Sequence, residues 1–112
     1  YTWSDSQKVA AENFGKCIDL AFPNIPSDVD EAEIDRLANQ YFDKIQQHKK
    51  DLPDSSTLTV HIMGEQTFCY NLINKLQKAG IPCIASCTTR DVTVLPDGSK
   101  QVRFHFTRFR EY

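Results

Sequence analysis

The chain has 112 residues, 40% of them hydrophobic and 25% charged, with a formal net charge of -2. That size and balance fit one globular domain and argue against disorder, a fibrous repeat or a disulfide scaffold. The slight acidity argues against duplex nucleic acid, which draws its affinity from many phosphate contacts, and no apolar run approaches the roughly 20 residues that span a bilayer. A cytoplasmic protein with no membrane partner is therefore expected.

In chain order, residues 5–14 place Val9, Ala10 and Phe14 at helical spacing behind Ser4 or Asp5 as a cap, and Gly15 supplies the stop. Residues 16–21 have the length and apolarity of a strand, and residues 22–26, with two prolines, form an extended loop. Ser27, Asp30 and Glu31 open an amphipathic helix in which Ile34, Leu37, Ala38, Tyr41, Phe42 and Ile45 recur at the helical period. Residues 57–63 then read as a buried strand that Gly64 breaks. A further helix runs from about Gln66 to Ala79, with Phe68, Leu72, Ile73 and Leu76 on one face and Gly80 as its cap. Residues 81–86 make the next strand, and strand, helix, strand within about thirty residues is a βαβ unit with parallel strands.

The end of the chain changes character, because residues 92–95 and 101–109 alternate about Pro96, Asp97, Gly98 and Ser99, the composition of a hairpin turn. Val102, Phe104 and Phe106 share one parity, and Arg108 continues it. The expected fold is thus α/β: one domain over residues 1–112, a Rossmann-like, mostly parallel sheet with helices on both faces and a C-terminal antiparallel β-hairpin. Doubly wound folds open with a strand, so an upstream first strand is expected to be missing before Tyr1.

In such sheets ligands bind beyond the carboxyl ends of the strands, where helix N-termini offer unpaired N–H groups to anions. Two loops meet that description. Gly64, Glu65, Gln66 and Thr67 join the second strand to the third helix: Gly64 permits close backbone approach and its neighbours add polar groups, although a tight turn with a helix cap explains the same residues. Ser86, Cys87, Thr88, Thr89 and Arg90 follow the next strand and gather hydroxyls, a thiol and a guanidinium, the groups that hold phosphate. The plainer account is a turn started by Thr88 and Thr89, with Arg90 paired to Asp91 or another surface acid.

The cysteines Cys17, Cys69, Cys83 and Cys87 have neither disulfide-scaffold nor zinc spacing and are expected to be buried free thiols. His61 reads as a satisfied strand residue, His105 as a solvated one, and His48 ends a charged helix, so no metal or cofactor is expected. The closing Phe106, Thr107, Arg108, Phe109 and Arg110 interleave rings and cations, which suits stacked bases and phosphates or, equally, a charged edge strand.

Residues 60–65, residues 80–90 and the Phe-Arg-Glu-Tyr end together resemble small CRISPR-associated proteins of the Rossmann-fold sensor type. The resemblance implies a homodimer that binds a cyclic oligoadenylate, and in some members a metal-independent ring nuclease in which the substrate's ribose 2′-OH attacks the adjacent phosphate. On that reading Thr88, Thr89 and Arg90 would be catalytic. Gly64, Glu65, Gln66, Thr67, Ser86, Cys87 and Arg108 would bind the cyclic oligonucleotide. The competing expectations are a non-enzymatic nucleotide-binding regulator and a protein-interaction module.

Overall fold

The structure, a computed structural model, describes residues 3–112. The elements are α1 (Asp5–Glu12), α2 (Glu31–Lys50), β1 (Val60–His61), α3 (Gln66–Lys78), β2 (Cys83–Val94) and β3 (Lys100–Glu111). They fall into two compact units. One joins the described residues up to Ile18 to residues 86–110, and the other comprises residues 19–85 with Glu111 and Tyr112.

The sheet is not the expected one. Among the described residues it has three strands in the order β1-β2-β3, with β1 parallel to β2 and β3 antiparallel to it. A mixed sheet with a two-residue first strand replaces the mostly parallel, Rossmann-like sheet between two helical layers. Two segments account for the difference. Residues 16–21 form no strand, and the chain leaves Ile18 and Leu20 exposed. Residues 81–86 do not end in a loop; the strand runs through to Val94, because no glycine or proline interrupts residues 83–95 and the β-branched Thr88, Thr89, Val92 and Thr93 favour extended backbone. The first breakers are Pro96 and Gly98, and there the chain turns: Leu95 N–H donates to the Ser99 carbonyl at 2.8 Å and Gly98 N–H to the Leu95 carbonyl at 2.9 Å.

In the larger unit the core lies where α2 and α3 pack together above β1 and the start of β2. Ile34, Ala38 and Ile45 face Phe68, Leu72, Ile73 and Leu76, with Ile62, Ile81 and Cys83 beneath. Burying each large aliphatic or aromatic side chain stabilises the fold by about 1.5–3 kcal/mol. The solvated side of the helix pair is tied by Lys75, whose ammonium donates to Asp35 at 2.8 Å, and by Asn71, which donates to the same carboxylate. Tyr112 closes this unit. Its amide donates to the Cys83 carbonyl at 3.0 Å, its hydroxyl to the Ile62 carbonyl at 2.6 Å, and its own carbonyl accepts from Gln77. Gly80 takes φ of +78°, the left-handed residue that ends α3.

In the smaller unit α1 begins with a capping box formed by Ser4 and Gln7. Gln7 is also, among the described residues, the one polar residue in the buried set, and its amide donates to the Ser86 hydroxyl at 3.2 Å. Trp3, Phe14 and Phe106 surround the Phe109 ring at centroid distances of 4.9–5.9 Å. Rings at positions 106 and 109 cannot meet on a strictly alternating strand, so the side-chain alternation of β3 breaks beyond Thr107. Arg108 therefore does not continue the Val102, Phe104 and Phe106 parity inward: it is exposed, and its Nε donates to the Phe109 carbonyl at 2.9 Å.

Candidate ligand-binding surface

The turn at Gly64 serves the fold. A Cβ on Gly64 would lie 2.4 Å from the Phe22 ring, so the close approach that glycine permits is used by the chain's own aromatic side chain. That ring in turn meets Phe68 edge-on at 5.2 Å. Glu65 is the N-cap of α3: its carboxylate accepts from the amides of Thr67 and Phe68 at 3.1 and 2.7 Å and from the Thr67 hydroxyl at 2.7 Å. Those three donors hold its pKa below the usual glutamate range. A fixed negative charge thus occupies the position an incoming anion would take at this helix end, and the Thr67 hydroxyl is already spent on it. Gln66 and Thr67 also line an open groove of about 650 Å³ between α2 and α3, whose walls carry Asp30 and Glu31 as well as Lys75 and Lys78. Its charge has no dominant sign.

Residues 86–90 are strand, not loop, and strand geometry separates them. Successive side chains point to opposite faces, so Ser86, Thr88 and Arg90 share one face while Cys87 and Thr89 take the other. Contacts fix which face is which. The Thr89 and Thr107 hydroxyls lie 2.8 Å apart, and His105 Nε2 lies 2.9 Å from an Asp91 carboxylate oxygen, so the odd-numbered side chains of both strands form one polar face. The even-numbered face carries Arg90, Val92 and Val94 from β2 and Lys100, Val102, Phe104 and Phe106 from β3. Thr88, Thr89 and Arg90 do not converge on one point.

That even face is apolar in the middle and open to solvent: Phe104 is 67% exposed, Val94 65%, Val92 48% and Val102 41%. Arg90 stands at one end and Lys100 at the other. No carboxylate belongs to this stretch of the face: Asp91 lies on the polar face with His105, Asp97 sits in the turn and accepts from Ser99, and Glu111 lies beyond the break in the alternation, near Cys83. The hairpin holds Arg90, Arg103, Arg108 and Arg110, leaving Arg36 as the only arginine elsewhere, and none of the four has a carboxylate partner among the described residues. The sequence shows the basic end and the shared parity of Val102, Phe104 and Phe106, but alternation is the same for a core strand and an amphipathic ribbon, and only the missing cover distinguishes them.

The thiols differ in setting. Cys69 and Cys83 are buried, and burial with the nearby Glu111 charge pushes Cys83 up to about 11. Cys17 is exposed and Cys87 half-buried, which corrects the expectation that all four are interior. Burial lowers the His61 pKa. No group of three metal-ligating side chains occurs among the described residues, and no helix there is long and apolar enough to cross a membrane.

The chain belongs to the uncharacterized protein MJ1673 family. The family model matches residues 1–110, which takes in every element described above except the last residue of β3. No curated protein and no solved structure matches the chain.

Proposed function

We propose that the chain is a non-enzymatic oligonucleotide-binding module whose contact element is the β2–β3 hairpin. The observation that supports this is the segregation of cations: four of the five arginines and Lys100 lie on two exposed strands, unmatched by carboxylates, beside an exposed phenylalanine. Unpaired guanidinium groups attract phosphodiesters, and an aromatic face adds stacking that tolerates any base. The hairpin takes over the role expected of the loops at Gly64 and Cys87. Glu65 works against an anion at the first, and the second is a continuous strand.

Binding without turnover is the form of this reading. The candidate catalytic trio Thr88, Thr89 and Arg90 is divided between two faces, and Thr89 is engaged by Thr107. A second copy is a poor occupant of the even face, because pairing two such faces would bring like charges together. The direct experiment is fluorescence anisotropy at low salt with labelled cyclic tetra-adenylate, cyclic hexa-adenylate and linear oligoadenylate, followed by analysis of products. Saturable binding with intact ligand, weakened severalfold by Arg90→Ala with Lys100→Ala, is the expected result. Absence of saturable binding to all three would end the reading.

A further inference from the structure

Which part of the hairpin reads the ligand, and how long a ligand it reads, follows from the even-numbered face. This step rests on the oligonucleotide reading above and narrows it. The face has three properties at once: an exposed apolar centre dominated by Phe104, a cation at each end, and no acid. Each property removes a class of occupant. A second copy meets like charge. A duplex keeps its bases stacked inside, so the ring and the valines would gain nothing from it. A single strand has both parts that the face complements, an unstacked base for the ring and flanking phosphates for the two cations.

We infer that Phe104, with Val92 and Val102 beside it, is a base-stacking platform, and that Arg90 and Lys100 grip phosphates on either side of it, so that the hairpin binds a short stretch of single-stranded nucleic acid lying along the strands. The length of the track comes from strand geometry. Lys100 is six residues from Phe106 on β3, about 20 Å at roughly 3.4 Å per residue, and Arg90 lies on the adjoining strand on the other side of Phe104 from the turn. A track of that length holds on the order of four nucleotides, the lower end of the range for stacking surfaces. Two gripping cations imply a shallow salt dependence, with a log–log slope of about -1.4 at roughly 0.7 per phosphate on a single strand. The polar face, where His105 and Asp91 satisfy each other, takes no part.

The test uses the whole chain and a series of labelled linear oligoadenylates from two to ten nucleotides, with a duplex of the same length as competitor. Affinity should rise up to about four nucleotides and level off, and the duplex should compete weakly. Phe104→Ala should weaken the longer ligands about tenfold, while Phe104→Trp should restore or improve binding. Phe104 is exposed, so both variants should keep the circular dichroism spectrum of the parent. Unchanged affinity in Phe104→Ala beside a loss in Arg90→Ala would overturn the stacking platform and leave simple electrostatic binding standing. Failure of every oligonucleotide would remove the broader reading as well, and saturable binding of an acidic peptide in their place would assign the face to a protein partner.

Discussion

At Gly64 one missing Cβ decides the local structure. The Phe22 ring sits where that carbon would be, so Gly64→Ala forces the ring off its contact with Phe68 and should cost about 1–3 kcal/mol in denaturant melts. In a Phe22→Ala background the same substitution should cost distinctly less, because the clash has been removed. Glu65 makes a second residue-scale prediction. Its folded-state pKa is depressed by the Thr67 and Phe68 donors, so its contribution is complete above the ordinary glutamate pKa of about 4.3 and is lost as the pH falls through the lower folded value. Melting temperature should therefore drop more steeply below about pH 4 in the parent than in Glu65→Gln, which starts lower and stays flatter. Parallel acid limbs would show that the cap carries no charge-dependent stability.

At the scale of elements, the end of β3 is part of the larger unit's fold. Tyr112 bonds to Ile62, just past β1, through its hydroxyl, to β2 through its amide and to α3 through its carbonyl. Tyr112→Phe should lower stability by about 1–2 kcal/mol, since the Ile62 carbonyl loses its partner, and removal of residues 107–112 should unfold the chain rather than merely free a partner strand. Much of the helical architecture was legible beforehand. The apolar period in α2 and α3, the stops at Gly15 and Gly80, and the turn around Pro96 to Ser99 follow from local rules that burial reinforces. The strands were harder to read. Residues 16–21 and 57–63 have strand composition, but a strand exists only when another pairs with it, and pairing is not written in the segment itself. Residues 86–90 carry loop-like polar side chains, yet in a ribbon solvated on both sides polarity does not mark a loop, and the lack of any breaker before Pro96 was the better signal.

For the whole molecule, the consequence is a relocation of the candidate site. A Rossmann-like crevice would have gathered Gly64, Thr67, Thr88 and Arg90 at the ends of parallel strands. The mixed sheet puts the first pair on a helix cap that supplies its own anion, and the second pair on an open amphipathic ribbon. What remained legible of the site was chemical rather than positional: arginines and aromatics interleaved near the end of an otherwise acidic chain. The measurement that tests this most directly is an amide chemical-shift map of the isotopically labelled chain titrated with a short single-stranded oligoadenylate. Shifts concentrated at residues 90–94 and 100–106, with residues 64–67 unmoved, are predicted. Shifts confined to residues 64–67, or none at saturating oligonucleotide, would contradict the assignment of ligand binding to the β2–β3 hairpin.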